Sequence, residues 1–166
     1  GLGVIGENRY GPELNAYNLF ISDNTAGEGG GFYSRVSYYG PNLYGGSIRR
    51  NRATWGGGVY SVGEGGISLD EVSVDHNTAD KGGGGVLAVG YMEIEDTAVL
   101  YNHAPQGGGL YCLNDNYWVV LSRVDFGEGV PSNLRDDIYL SSGVRFNLGA
   151  SNSATCLNGA CDGTLT

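Results

Sequence analysis

The sequence predicts an all-β fold, a single-domain right-handed parallel β-helix of about six turns with three short strands in each turn. One phrase, Asn-x-Ala-x-x-Gly-Gly-Gly, occurs four times at intervals of 27, 26 and 25 residues. Short alternating runs of apolar and polar residues fill each interval, which is typical of β-strands. No stretch has a sustained period of about 3.6 residues, so helical crossovers between strands are not expected.

The repeated phrase contains the residues that we expect at the corners of the coil. A corner ladder is predicted from the repeated asparagines, Asn24, Asn51, Asn77 and Asn102. A glycine bend is predicted from the triplets Gly29, Gly30, Gly31, Gly56, Gly57, Gly58, Gly82, Gly83, Gly84, Gly107, Gly108 and Gly109. Asparagine tolerates the left-handed conformation of a sharp corner, and its amide can bond to a stacked neighbour. Glycine permits positive φ and close approach of backbones.

Each period supplies three predicted strands. In the second period the first strand starts at Val59, the next starts at Ile67 after the Gly65–Gly66 break, and the last ends at Val74. The following period repeats this order, with an extra Gly85 that moves its apolar pair by one position. Equivalent strands of successive turns would pair about 4.8 Å apart, with their apolar residues stacked inside the coil.

Aligning the turns also predicts charge pairs between them. The alignment places Arg49 beside Asp75 and Asp23 beside Arg50. Opposite charges on neighbouring strands favour this register and do not by themselves indicate a binding site.

An aliphatic residue stands three positions before each repeated asparagine, in Ile21-x-x-Asn24, Ile48-x-x-Asn51, Val74-x-x-Asn77 and Val99-x-x-Asn102. Followed by a glycine-rich motif, this pattern resembles the repeats of the polymorphic outer-membrane protein family. It is similar more generally to right-handed parallel β-helix repeat proteins of the bacterial surface. That family prefers Phe at the first motif position, where this chain has Ile or Val. The resemblance implies a β-helix at the cell surface.

The repeats divide the single domain of residues 1–166 into three regions. Residues 1–18 form a predicted N-terminal edge with little that could act as a cap. Residues 19–111 contain the regular repeats. Residues 112–166 are predicted to form irregular turns and a C-terminal cap, in which Asn133 begins a degenerate asparagine corner. Because the chain starts with Gly1, we expect it to be a processed or excised segment.

Composition narrows the range of partners. The formal net charge is −9, and Lys81 is the single lysine, so neither nucleic acid nor an anionic membrane surface is an expected partner. No apolar run approaches the length of about 18 residues that crosses a bilayer, so membrane insertion is not expected.

The cysteines predict an oxidising compartment. Cys156 and Cys161 flank Asn158-Gly159, a strong turn signature, and suit a small disulfide-closed hairpin. Two unpaired thiols are the alternative. Cys112 is expected to be a buried small hydrophobic residue.

No catalytic residue, metal site or cofactor is predicted. The acidic residues of the repeats are expected to be solvated, in two groups: Asp70, Glu71 and Asp75, and Glu93, Glu95 and Asp96. Glu71 and Glu93 are the pair that could meet on neighbouring turns. No lysine or arginine lies between Lys81 and Arg123 to serve the second group. His76 and His103 fall in different columns, which does not suit a metal site.

Aromatic residues leave two interpretations open. Tyr33, Tyr60 and Tyr111 fall in one column, and Trp55 and Trp118 occur elsewhere. They could form a carbohydrate-binding strip or a packing ladder.

Together these features predict a non-enzymatic, extracellular or cell-surface protein with a structural or adhesive role. More specifically, we expect the chain to be the subunit of a surface fibre, in which copies self-associate through the β-helix ends. A cell-surface receptor or a glycan is the other expected partner. The alternative function is a carbohydrate-binding or polysaccharide-degrading β-helix that resembles pectate lyases.

Overall fold

In the part of the chain that the structure describes, the fold is an all-β solenoid of parallel strands with about four turns. This computed structural model of the 166-residue chain describes residues 1–6, 14–113, 117–127, 133, 137–141 and 144–149. No helix occurs in these ranges, and therefore none that is long and apolar enough to cross a membrane. The predicted fold class is confirmed.

The strands of the described residues range from three residues to the 12 residues of β7. They are β1 (Leu2–Gly6), β2 (Asn15–Ser22), β3 (Thr25–Glu28), β4 (Phe32–Val36), β5 (Asn42–Arg49), β6 (Arg52–Trp55), β7 (Val59–Asp70), β8 (Ser73–Asp75), β9 (Thr78–Gly82), β10 (Val86–Glu95), β11 (Ala98–Leu100), β12 (Leu110–Cys112), β13 (Trp118–Ser122), β14 (Ile138–Leu140) and β15 (Arg145–Leu148).

Equivalent strands stack in parallel columns along the axis. The first column runs through β1, β4, the start of β7, the start of β10, β12 and β14. The second runs through the start of β5, the end of β7, the end of β10, β13 and β15. The third contains the end of β5, β8 and β11, and β2 pairs along the whole of β5.

The three strands predicted for each turn are present, and a further pairing segment joins them. The residues between each corner asparagine and its glycines form a separate sheet of β3, β6 and β9. An isolated bridge between Thr78 and His103 extends this sheet into the next turn. These segments lack alternating apolar residues, so periodicity could not reveal them.

The interior is filled by stacked apolar rows. The row that follows the glycines has every side chain fully buried: Phe32, Val59, Val86, Leu110 and Ile138. Repeat alanines fill the corner, and Ala53, Ala79 and Ala104 are almost completely buried. The predicted inward positions are therefore confirmed.

The estimate of about six turns is too high. Successive corner asparagines are 25–27 residues apart up to Asn102, whereas the next, Asn133, lies 31 residues further on. Beyond β13, the described chain contributes only β14 and β15, which are not enough for two more complete turns. The cap that would contain Cys156 and Cys161 lies outside the described residues.

The N-terminal turn differs from those that follow. Within the described residues, β1, β2 and β3 each pair with one neighbour only, namely β4, β5 and β6. Its inward side chains are only partly buried against the core: Val4, Leu14, Ala16, Leu19 and Ile21.

Candidate functional site

The repeated asparagines form a continuous hydrogen-bonded ladder. Each side-chain amide donates to the Oδ1 of the next asparagine, over 3.0 Å from Asn24 to Asn51 and 3.1 Å from Asn51 to Asn77. Asn77 donates to Asn102 over 3.1 Å, and Asn102 donates to Asn133 over 3.2 Å. The predicted ladder is present, and the degenerate corner at Asn133 supplies its fifth member.

The aliphatic residue of each motif is tied to the ladder through its backbone. The side-chain amide of Asn77 also donates to the carbonyl of Ile48, over 2.8 Å. Asn51 bonds in the same way to Ile21, and Asn102 to Val74. The aliphatic side chain therefore fills the core, while its carbonyl anchors the asparagine of the following turn.

The prediction that the asparagine adopts the left-handed conformation at the corner was wrong. The residue before the asparagine adopts it instead. Asp23, Arg50, His76 and Tyr101 have φ between 52° and 61°. Asparagine instead serves the corner through its side chain, whose Oδ1 also accepts the backbone N–H of the asparagine one turn earlier. The conformational preference of asparagine is therefore not the reason for its repetition.

The glycine bend is confirmed in three repeats and shifted in one. The first glycine of each bend has positive φ, and these residues are Gly29, Gly56, Gly83 and Gly107. In the third repeat the bend is thus Gly83–Gly85, and Gly82 lies at the end of β9. The extra glycine moves the bend by one residue. Val59 pairs in register with Val86, the backbone N–H of Gly57 donates to the carbonyl of Gly83, and that of Val59 donates to the carbonyl of Gly85.

The aromatic column is mainly a packing feature. Tyr33 pairs with Tyr60 in register, and their rings meet edge to face at 5.5 Å. Leu87 and Tyr111 continue the column and are buried, and Tyr111 packs edge to face on Tyr139. Burial raises the pKa of Tyr60 and of Tyr111. The column therefore offers half-covered ring edges rather than a row of open ring faces.

Trp55 lies beside this column, and Trp118 lies apart from it. The Trp55 ring is tilted against Tyr111 at 6.4 Å, and the Lys81 ammonium lies 5.5 Å from its centroid. The Arg145 guanidinium lies 5.9 Å from the Trp118 ring. Both indoles thus have a cation from this chain beside them.

The charge pairs at the corners stabilise the stack. Asp23 and Arg50 form a two-pronged contact with both distances at 2.8 Å, which lowers the pKa of Asp23 to about 2. Arg49 lies opposite Asp75, as predicted. Arg52 bonds to Asp80 over 2.6 Å.

The second acidic group has a cationic partner that sequence distance concealed. Arg123 bonds to Glu95 and, over 2.6 Å, to Asp96. The hydrogen bond from Arg123 lowers the pKa of Asp96. The expectation that no basic residue serves this group was wrong. Arg123 and Asp96 are 27 positions apart in the sequence, and one turn of the solenoid brings residues at that separation together.

Glu71 and Glu93 do not meet. Glu93 pairs in register with Ser68, whereas the backbone N–H of Glu71 donates to Glu95. Desolvation raises the pKa of Asp70, with Glu95 and Asp96 adding to it. No group of three or more possible metal ligands occurs in the part of the chain that the structure describes.

The remaining candidate residues stay apart. His76 bonds to Asp75 over 2.8 Å and packs on Tyr101, whereas His103 lies in the bridge to Thr78. Cys112 is a free, buried thiol whose pKa is raised by desolvation, as expected of a core residue. The predicted disulfide of Cys156 and Cys161 lies outside the described residues.

One lateral cleft brings several functional groups together, and sequence reasoning missed it. It has a volume of about 320 Å³ and opens on the outer side of the solenoid between the first and second columns. The residues around it are Tyr38, Tyr39, Gly40, Asn42, Glu64, Gly65, Ile67, Ser68, Tyr91 and Glu93. They come from three successive turns, so no local motif in the sequence could have indicated this site.

Hydrogen bonds position the carboxylates of the cleft. The Tyr91 hydroxyl donates to Glu93 over 3.2 Å, and the pKa of Tyr91 is raised by burial and by that carboxylate. Glu64 accepts a hydrogen bond from Tyr117, whose pKa is raised in turn. Tyr39 is 62% exposed and forms part of the wall. The cleft thus combines open aromatic surface with two hydrogen-bonded carboxylates, an arrangement suited to binding rather than to acid–base chemistry.

Comparisons with protein-family models, with curated proteins and with solved structures find no match for this chain. The resemblance to the polymorphic outer-membrane protein family therefore remains a prediction from the repeat motif.

Proposed function

We propose that this chain is a non-enzymatic structural or adhesive β-solenoid that acts outside the cell or at its surface, and that copies of it associate end to end. The observation that carries this proposal is the use of the repeated residues. The asparagines, alanines, glycines and aliphatic residues of the motif are all engaged in contacts between turns. A repeat devoted to stacking suits a structural role better than a catalytic one.

The N-terminal turn supports association between copies. Its strands leave one edge without a partner among the described residues, and its inward side chains are only half covered. The occupant that fits best is another copy of this chain, because the natural neighbour of each turn is a turn with the same spacing of asparagine, glycine and apolar residues. Head-to-tail contacts along a single axis do not close into a ring, and they therefore extend into filaments.

Sedimentation velocity over a range of protein concentrations, with negative-stain microscopy, tests this proposal. The double variant Ile5→Lys/Phe20→Lys adds two charges to exposed positions of β1 and β2 and should remain monomeric. Tyr101→Lys, at an exposed position away from these strands, is the control and should associate like the wild-type chain. Monomers of the wild-type chain at every concentration would contradict the proposal, as would equal association of the double variant.

The cell-surface location rests on the repeat resemblance and on the predicted disulfide. Secretion of the chain by its native host, followed by thiol labelling without reductant, tests both. We expect one reactive thiol at most after denaturation, that of Cys112, because Cys156 and Cys161 would be paired. Labelling of all three cysteines would remove the support for an oxidising compartment.

The exposed tyrosines of the cleft keep the carbohydrate alternative open. A glycan array tests for binding, and release of reducing sugar tests for cleavage. Saturable binding of a saccharide would favour this alternative over a purely structural role.

A further inference from the structure

At the cleft, two consecutive glycines of one turn pass between two turns that carry tyrosines. These glycines are Gly65 and Gly66 in β7. A Cβ on Gly66 would lie 2.9 Å from the Cβ of Tyr91 in the following turn. A Cβ on Gly65 would lie 2.8 Å from the backbone of Tyr38, which belongs to the preceding turn. The turn that carries Tyr39 and the turn that carries Tyr91 are therefore two turn spacings apart along the axis, or about 10 Å between their backbones. The cleft lies over the intervening glycines and has room for one compact group beside Tyr39 and Tyr91.

The charged residues among the described lining of the cleft are both acidic. They are Glu64 and Glu93, and none of the described lining residues is Lys, Arg or His. The protein as a whole carries a formal net charge of −9, which adds to the local negative potential. Each carboxylate accepts a tyrosine hydroxyl, which positions the oxygens without neutralising them.

We propose that this cleft binds an alkylammonium group, either the side-chain ammonium of a lysine on a partner polypeptide or a small quaternary ammonium. The cation would lie against the faces of Tyr39 and Tyr91, where the ring quadrupoles attract it. Glu64 and Glu93 would supply the opposite charge, and Asn42 and Ser68 would supply hydrogen-bonding groups at the rim. This inference goes beyond the proposed structural role and does not depend on end-to-end association.

Other ligand classes fit the cleft less well. An anion would meet two carboxylates and no basic residue among the described lining of the cleft. A neutral saccharide could stack on tyrosine and donate hydroxyls to the glutamates, but it would leave two like charges in one cleft uncompensated. An alkylammonium uses both the aromatic surface and the charge.

Isothermal titration calorimetry of the whole chain tests the proposal with three probes. Choline represents the quaternary source, Nα-acetyl-lysine methylamide represents the lysine source, and 3,3-dimethylbutanol is the uncharged analogue of choline. We expect saturable binding of at least one cationic probe, and binding of the uncharged probe weaker by about tenfold or more. The stronger cationic probe identifies the source. Equal binding of the uncharged probe, or no saturable binding of either cation, would overturn the proposal.

Variants locate the binding to the cleft. Glu64→Gln/Glu93→Gln preserves shape and should weaken binding of the cation by about tenfold or more, and Tyr39→Ala should also weaken it. Glu71→Gln removes one negative charge from an exposed residue of another corner and should leave affinity within about twofold. Circular dichroism and the unfolding midpoint establish that each variant is folded. Glucose and galactose are titrated in parallel, and saccharide binding that survives the glutamine variant while the cations fail would assign the cleft to a carbohydrate instead.

Discussion

At the scale of single residues, buried amides fix the stacking of this chain. Asn77 is completely buried, and its side-chain polar atoms bond to the turns on both sides of it. Its Oδ1 accepts both the backbone and side-chain N–H groups of Asn51, and its Nδ2 donates to Ile48 and Asn102. Such a group is costly to remove, because its former partners stay buried.

Replacing Asn77 by alanine should therefore destabilise the protein by about 3 kcal/mol. Asn24→Ala is the matched control, since Asn24 is only partly buried and lies at the first position of the ladder. Its loss should cost at most about 1 kcal/mol. Urea unfolding measures both values, and equal costs for the two variants would contradict the ladder as a source of stability.

Two aspartates should make opposite contributions to the pH dependence of stability. Arg50 lowers the pKa of Asp23 to about 2, so its contribution is present above the unfolded pKa of 3.8 and is lost as the pH falls towards 2. Desolvation raises the pKa of Asp70, so its ionised form opposes folding, and this opposition disappears as the carboxyl is protonated. Asp70→Asn should thus stabilise the protein at neutral pH and have no effect in acid, whereas Asp23→Asn should destabilise it at neutral pH.

Unfolding titrations of both variants at neutral pH and near pH 2 measure these effects. A loss of stability in Asp70→Asn at neutral pH would show that the carboxylate has a favourable partner. Because Asp23 is exposed to solvent, added salt should reduce its effect.

At the scale of structural elements, glycine is required where one turn lies directly against the next. A Cβ on Gly58 would lie 2.5 Å from the Gly85 carbonyl oxygen and 2.9 Å from the side-chain amide of Asn77. The same crowding meets Gly31 and Gly85, whereas Gly27 in β3 has no heavy atom within 4 Å of such a Cβ. The glycine bend is therefore a steric requirement of the stack at its last position, and a requirement for positive φ at its first.

Gly58→Ala should destabilise the protein by at least about 2 kcal/mol, because backbone of the adjacent turn cannot move away easily. Gly27→Ala should be neutral or stabilising by about 0.5–1 kcal/mol, since alanine restricts the unfolded chain. Thermal and urea unfolding compare the two variants. Similar losses at both positions would show that glycine is retained for flexibility and not for close approach.

The second corner of each turn repeats the backbone of the first with different side chains. Glu71, Asp96 and Arg123 have positive φ, like the residues that precede the asparagines. The buried Thr97 follows one of them and accepts the backbone N–H of Val72 over 3.1 Å, in the manner of a ladder asparagine. The sequence indicates the asparagine corner clearly, because asparagine recurs there in every repeat. It hardly indicates the second corner, where no single residue type recurs.

At the scale of the whole molecule, acidity opposes association. The formal charge of −9 at pH 7 gives every copy the same sign, while the calculated isoelectric point is near 4.4. Repulsion between copies falls as the pH approaches that value. The proposed end-to-end contact should therefore strengthen in mildly acidic solution and with added salt.

Sedimentation velocity at pH 8 and pH 5 measures this effect. We expect a larger associated fraction at pH 5 for the wild-type chain, while the Ile5→Lys/Phe20→Lys variant should change little. If the variant associates as much as the wild-type chain at pH 5, the association reflects a general loss of solubility and does not involve the N-terminal turn.

The sequence by itself determined the fold, the asparagine ladder, the inward rows and the charge pairs at the repeated corner. It could do so because the same residue types recur with a period of about 26 residues, so that each turn makes the same contacts in the same order. Only the tertiary structure decided that the third bend is Gly83–Gly85, that Arg123 serves Glu95 and Asp96, and that Tyr39, Glu64 and Tyr91 share a cleft. These contacts depend on how unlike residues of successive turns are aligned, and a one-residue insertion or an irregular loop changes that alignment. Repetition therefore specifies the stack, whereas the candidate binding site arises where the repetition is broken.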